Sequence, residues 1–412
     1  MNGENSKPQN PGTGTAKAHQ DILDRAIRLH RGGRLKEAET AYRELLQAHP
    51  GHPTSLHMLG VLAYQAGKYE DAISLITRAK AHAPSDAGLH TNLGNALQAC
   101  GRLEEAVAAF MQAIEINPRF ALAYNNLGNV LHQQEKHERA IAAFQQALSI
   151  DSNYTDTYVN LAAVYQARGE MEKAAHCYQK AVELNPDHES AAHMLAALRG
   201  EARENAPPEH VTRLFDEYAA KFDHHLVDTL GYSMPGLLRS EIDRLQGPNT
   251  RFQNVIDLGC GTGLAGIAFR PVSGHLTGID LSPRMIDRAR ERNVYDILQT
   301  GDIIATLQEE QAHYELFICA DVFPYIGNVR PLFSALRSRA AKGALFAFST
   351  ETHTGSSYVL RPTGRYAHAP DYLHSAAAEH GFSVRSMRTE NLRKQKAQWI
   401  RGDLVVLQYQ GS

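Results

Sequence analysis

The sequence predicts two architectures in one chain: an α-helical solenoid, then a doubly wound α/β sheet ending in an antiparallel hairpin. Three observations predict this. The same residue types return every 34 positions up to about residue 200. Beyond Pro207-Pro208, apolar runs of strand length alternate with amphipathic helical segments. The last two strand-like runs have no helical segment between them.

The columns of the repeat are explicit. Leu59, Leu93, Leu127, Leu161 and Leu195 form one; Gly60, Gly94 and Gly128 form the next. Ala38, Ala72, Ala106, Ala140 and Ala174 form a third, and Pro50, Pro84, Pro118 and Pro186 a fourth, with Ser152 as its exception. A fixed period of this length marks a stack of helix–turn–helix units. In one unit the apolar spacing predicts helices over 121–134 and 138–150. Small residues fall where paired helices approach closely, glycines 33, 67, 101 and 169 punctuate the turns, and the prolines end the second helices. Four units begin near residues 53, 87, 121 and 155; a degenerate one near His19 precedes them, and a lone helix over 189–199 is expected to cap the stack. These columns resemble those of tetratricopeptide-repeat proteins, which implies a concave surface for a protein or peptide partner. Asn92, Asn126 and Asn160 stand 34 apart on the first helices. An amide donates and accepts at once, so such a ladder suits an extended peptide backbone; it resembles the asparagine ladder of O-linked N-acetylglucosamine transferases. The alternative is that these amides satisfy groups within the repeats.

In the second half, strands are expected over 254–258, 275–280, 297–300, 314–320, 344–350, 382–387 and 404–409, with helices such as 285–292 and 331–342 between them. The first strand runs into Gly259-Cys260-Gly261-Thr262-Gly263. Glycines permit a tight turn and close approach of a ligand to the backbone. Gly261-x-Gly263-x-x-Gly266 also spells a dinucleotide fingerprint, and Asp280 lies where a nicotinamide cofactor would want a ribose-binding acid. Asp257 within the strand end points elsewhere, since a carboxylate suits the ammonium of an amino-acid tail. Asp302 after the third strand is placed for an adenine amino group.

The strings Val255–Gly263, Gly278-Ile-Asp280-Leu-Ser-Pro283, Gly301-Asp302-Ile303 and Asp321-Val-Phe-Pro-Tyr325 resemble, in order and spacing, the motifs of class I methyltransferases. That resemblance covers about residues 209–409 and implies a Rossmann-like fold with S-adenosyl-L-methionine as cofactor. It implies that Gly259, Gly261 and Gly263 back the methionine portion, near Asp257. Asp280 would bind the ribose with Leu281 beside it, and Asp302 and Ile303 would flank the adenine. Asp321 would stand near the sulfonium as a cofactor and catalytic residue. A helix carrying Tyr218 and Phe222 resembles the N-terminal lid of such enzymes. The polar segment 351–374 reads as a substrate loop, with Arg365 and Tyr366 as acceptor-binding candidates and His368 as candidate base.

Composition bounds the rest. A chain of 412 residues with 43% hydrophobic and 21% charged residues has room for two cores. A net charge of -3 gives no support to nucleic-acid binding, and the basic run at Arg393 reads as a solvated loop. Four scattered cysteines point to a reducing, cytoplasmic setting. No apolar run is long enough for a membrane span, and no ligand spacing points to a metal. The expected domains are a disordered leader over 1–18, repeats over 19–200 and a methyltransferase domain over 205–412. Three functions follow: a methyltransferase whose repeats recruit a protein substrate, the same enzyme acting on a small molecule, or a scaffold that binds the cofactor without turnover.

Overall fold

A computed structural model describes residues 12–219, 222–395 and 398–411. The chain divides into two compact units, up to Leu184 and from Asn185 onward.

The first unit is five helix pairs: α1 (Gly12–Arg31) with α2 (Leu35–Ala48), α3 (Pro53–Gln65) with α4 (Tyr69–His82), α5 (Ala87–Ala99) with α6 (Leu103–Ile116), α7 (Ala121–Gln133) with α8 (His137–Ile150), and α9 (Thr155–Ala167) with α10 (Met171–Leu184). Residues 12–18, expected within a disordered leader, belong to α1. The Ala-Lys-Ala-His run continues into the apolar periodicity with no breaker; residues 1–11 lie outside the described residues. The small-residue columns do what their size requires. The alanines at 38, 72, 106, 140 and 174 are fully buried. A Cβ on Gly94 would stand 2.6 Å from the Phe110 ring, and one on Gly128 would stand 2.5 Å from Phe144, so each glycine lets the partner helix's aromatic reach the core. The turn glycines 33, 67, 101 and 169 all have φ between 73° and 79°. The fourth turn has Glu135 in that column, at φ 59°. A non-glycine residue there crowds Cβ against its own carbonyl, costing roughly 1–2 kcal/mol.

The second unit opens with the helix expected to cap the stack, α11 (Glu189–Arg199). Its Ala196 and Ala197 share a buried cluster with Tyr325, Leu360 and Tyr366, and the His193 Nε2–H donates to the Gly364 carbonyl (2.9 Å). This helix is therefore built into the α/β unit. There follow α12 (Pro208–Tyr218), a π-helical turn (His224–Thr229) and α13 (Met234–Gln246). The sheet comprises β1 (Phe252–Leu258), β2 (Ser273–Asp280), β3 (Ile297–Thr300), β4 (Tyr314–Cys319), β5 (Ala340–Glu351), and a hairpin of β8 (Phe382–Gln395) and β9 (Gln398–Tyr409). Between β5 and β8 lies a small two-stranded sheet, β6 (Tyr358–Leu360) with β7 (Tyr366–His368). Helices α14 (Leu264–Phe269), α15 (Pro283–Glu291), α16 (Ile303–Glu309), α17 (Arg330–Arg339) and α18 (Pro370–Glu379) fill the remaining connections.

Strand order is β3-β2-β1-β4-β5-β9-β8. β1 to β5 are parallel; β9 runs antiparallel to β5 and β8 antiparallel to β9. Alternate residues feed opposite cores. Phe317, Phe346 and Phe348 pack towards α17 and α18, whereas Leu316, Ile318 and Val406 pack towards α13 and α14. The hairpin arms are about twice as long as expected, because 388–395 and 398–403 pair strand to strand rather than looping. Among the described residues no helix is long and apolar enough to cross a membrane, and no group of three or more His, Cys, Asp or Glu is placed to hold a metal.

Candidate functional site

The carboxyl ends of β1 to β4 converge on one cavity of about 250 Å³, where ligands of open α/β sheets bind. Its floor is the loop after β1. Gly259 turns at φ 74°, and a Cβ there would strike Val322 at 2.2 Å. Gly261 turns at φ 53° and lines the cavity; a Cβ there would meet nothing nearer than the Phe222 ring at 4.0 Å. Asp280 ties this loop to β2: its Oδ2 accepts from the Gly261 N–H and its Oδ1 from the Ser282 N–H, both at 2.8 Å. Each oxygen keeps a further lone pair for a ligand. Leu281, Ile303 and Asp302 also line the cavity. Asp302 Oδ1 caps α16 by accepting from the Ile304 and Ala305 N–H groups.

Two expectations about the loop are corrected. Gly263 does not line the cavity: a Cβ on it would press on Arg292 (3.1 Å) and Tyr295 (3.2 Å). Gly266 and Gly278 face the same ring, with Tyr295 atoms 2.4 and 2.9 Å from their would-be Cβ positions. These three glycines clear space for Tyr295 rather than for a ligand. Asp257 also stands off the cavity wall. It is fully buried; Oδ2 accepts from the Tyr295 hydroxyl (2.6 Å), and Oδ1 has no hydrogen-bond partner. Burial pushes its pKa up to about 7, against the pull of the Tyr295 hydrogen bond. Burial likewise raises the Asp280 carboxyl, opposed by the two backbone N–H groups.

The roof is the segment before β1. Val211 and Phe215 of α12, with Phe222, Leu226 and Tyr232, line the cavity. The Tyr218 side chain lies outside the described residues. Two carboxylates fasten the roof to the cavity's lips. Asp216 accepts from the Ser282 hydroxyl. Asp223 accepts from the Thr262 hydroxyl and pairs with Arg292. The chain leading into this roof is also part of the wall: Asn205 and Ala206 line the cavity, and the Ala206 N–H donates to the Tyr325 carbonyl (2.9 Å).

At the far end Asp321 lines the cavity with a left-handed backbone, φ 59°. Its Oδ1 accepts from Arg365 Nη2 and Arg393 Nη1, each at 3.1 Å. Glu351, at the end of β5, accepts from the same two arginines and from Arg361. Burial would raise the Glu351 carboxyl, but the three guanidiniums hold it below its ordinary value. Arg393, read from sequence as solvated, is only 6% exposed, because β8 carries it back across the sheet end.

The substrate-loop candidates fare differently. Arg365 is held by Glu351, Asp321 and the Tyr325 hydroxyl and is not on the cavity wall. Tyr366 is fully buried among Tyr358, His193 and Leu360, so it is a packing residue. His368 is no base for an acceptor: it is fully buried on β7, its Nε2–H donates to the Ile326 carbonyl (2.8 Å), and its Nδ1 meets the Thr350 hydroxyl (2.7 Å). Burial pushes its pKa down to about 4, against the two carbonyls that favour its charged form. In the repeat unit the asparagines bond to one another and to neighbouring helices. Asn92 Nδ2 meets His57 Nε2 (2.8 Å), Asn126 donates to Asn95 Oδ1 (2.9 Å), and Asn125 Oδ1 accepts from Thr157 and Asn160, each at 3.0 Å.

A parallel run of five strands with a glycine loop, an acid closing β2 and a roof of preceding helix defines a doubly wound α/β domain with a cavity at its strand ends. Residues 230–395 match a methyltransferase-domain family model, and residues 23–87, 94–135 and 119–184 match tetratricopeptide-repeat models. The chain thus joins tetratricopeptide repeats to a methyltransferase domain. It is similar to the ubiquinone biosynthesis O-methyltransferase of Shewanella halifaxensis (strain HAW-EB4), with 24% identity over 135 residues, 28% of this chain and 56% of that protein. It is similar also to the Xylella fastidiosa (strain 9a5c) enzyme of that name, with 25% identity over 114 residues, 27% of this chain and 46% of that protein. The chain spans about half the length of the curated relatives it matches. Among solved structures it is similar to MamA (26% identity, TM-score 0.37, 39% of this chain and 94% of that one). It is also similar to a thermophilic tetratricopeptide-repeat protein of Thermus thermophilus (24% identity, TM-score 0.39, 44% of this chain and 98% of that one).

Proposed function

We propose that the protein transfers a methyl group from S-adenosyl-L-methionine to a small acceptor, while the repeats bind a protein partner. The observation that carries this is the convergence of Gly261, Asp280, Asp302 and Asp321 on one cavity. The residues fit that cofactor on two counts. Gly261 leaves open space where a Cβ would stand, and Asp280 on the cavity wall has lone pairs for ribose hydroxyls. When bound, the cofactor supplies an electrophilic methyl group on a sulfonium. The chain's part is alignment, since an in-line displacement gains most from holding its reactants in place. Asp280 and Asp302 orient the nucleoside, and the roof of Phe215 and Phe222 excludes water.

The fastened roof favours a small acceptor over a protein side chain, because Asp216 and Asp223 close the segment over the cavity. The relatives' name, with its O-methyltransferase, supports an oxygen acceptor. A partner on the repeats would then localise or assemble the enzyme in the cytoplasm rather than present the methylated group. Calorimetric titration of S-adenosylhomocysteine into the full chain tests the cofactor. One site is expected, and Asp280→Ala should weaken it by roughly 1.5–3 kcal/mol, the range for hydrogen bonds to a charged group. Tight NADH binding with no response to S-adenosylhomocysteine would remove the assignment.

A further inference from the structure

Five charged side chains meet at the ends of β4, β5 and β8. Arg365 and Arg393 each bridge Asp321 and Glu351, which closes a four-membered ring of ion pairs; Arg361 Nη1 adds a contact to Glu351 Oε2 (3.1 Å). Glu351 is 2% exposed. Such a cluster is a poor way to gain stability, since desolvating ions offsets most of their attraction. Asp321 also holds a backbone conformation that a side chain disfavours, and local strain of this kind gathers at functional sites. Of the five, Asp321 lines the cavity, and the others stand behind it. Asp321 Oδ1 takes both guanidiniums, while Oδ2 has no hydrogen-bond partner among the described residues. Three guanidiniums against two carboxylates leave one positive charge in excess beside the wall. That wall is aromatic: Phe215 meets Tyr325 edge-to-face at 5.4 Å and Phe222 at 6.0 Å, a surface for a flat apolar body.

We propose that Glu351 is a positioning residue which, through Arg365 and Arg393, holds Asp321 Oδ2 to receive the hydroxyl of a small phenol. This rests on the methyltransferase reading above. The phenol O–H donates to Oδ2. An oxygen lone pair forms the new O–C bond as the C–S bond breaks with its electrons going to sulfur. The phenolic proton passes to Oδ2, and the excess positive charge favours the oxygen as that proton leaves.

The test titrates p-cresol and toluene into the full chain saturated with S-adenosylhomocysteine, and follows p-cresol methylation by mass. For the wild type, p-cresol should bind about tenfold or more tighter than toluene, the share of one hydrogen bond to a charged group. In Glu351→Gln that preference should collapse and the pH–rate profile should shift, while S-adenosylhomocysteine affinity holds. Asp321→Asn, on the wall itself, should lose the same preference and covers the case in which Glu351→Gln does not fold. Equal binding of p-cresol and toluene by the wild type would overturn the proposal. So would a fall in S-adenosylhomocysteine affinity parallel to that for p-cresol in Glu351→Gln, which would make Glu351 a support of the fold. Failure of the wild type to bind S-adenosylhomocysteine would remove the cofactor reading itself, a result distinct from either.

Discussion

The repeat unit and the α/β unit each bury a polar network, with opposite chemistry. In the repeats the network is neutral: Asn95, Asn125, Asn126, Thr157 and Asn160 link α5, α7 and α9 by amide and hydroxyl bonds. In the α/β unit it is ionic, closed on itself at Asp321 and Glu351, and strained. Neutral amides satisfied by one another favour a single stacking register at little desolvation cost. Buried ions carry a large desolvation cost, which suits a place where charge does work on a ligand. The difference separates a network that holds parts together from one we propose to face a reaction.

The strongest test of that contrast is Asn125→Ala. It removes the 4%-exposed acceptor of both Thr157 and Asn160 and should destabilise the repeats by about 2–3 kcal/mol, the penalty for leaving buried polar groups unpaired. Thermal unfolding followed by circular dichroism checks this. If stability holds and partner binding falls instead, the amides face a ligand and the contrast fails.

Asp257 sharpens the other side. Its carboxyl rises from 3.8 to about 7 on folding. A raised acid contributes stability that is full below its unfolded value and is lost as pH rises through its folded value. The α/β unit should therefore weaken between about pH 4 and pH 7 through this residue. Asp257→Asn should raise the melting temperature more at pH 8 than at pH 5. An equal change at both pH values would mean that the carboxyl titrates normally.

The smallest effect is expected at Glu135, whose left-handed turn stands in a column of glycines. Glu135→Gly should stabilise the repeats by about 0.5–1 kcal/mol, strain relief less the greater freedom of an unfolded glycine. Denaturant midpoints would detect it, and a loss of stability would mean that the side chain holds the turn.

How far the sequence reached depends on where the partners lie along the chain. The solenoid was legible because each unit repeats its neighbour's chemistry, so Ala140 or Gly128 could be read from its column alone. The glycine loop, Asp280, Asp302 and Asp321 were legible because each sits at the end of a short apolar run. Tyr295 was not: it serves Asp257 from 38 residues away, and nothing in the string Asn-Val-Tyr-Asp marks it. Arg393 was misread for the same reason, since it reaches Asp321 across 72 residues by a strand whose arm looked like a loop. His368 and Tyr366 misled because polar letters between turn residues suggested exposure, whereas β7 folds both inward.

The roof fastenings have a consequence for timing. Asp216 and Asp223 grip Ser282 and Thr262, two residues after Asp280 and one after Gly261, so on the proposed reading cofactor entry and exit would run through the same fastenings that complete the enclosure. A donor loaded first and trapped beneath the segment would then give a compulsory order of arrival, with product departure as the slow event. The Asp223–Arg292 pair is only partly covered, its side chains 43% and 24% exposed. Dissolved ions weaken such pairs over a screening length of about 10 Å at 0.1 M. Ionic strength would thus act on the residence time of whatever lies under the roof, without touching the groups proposed to recognise it.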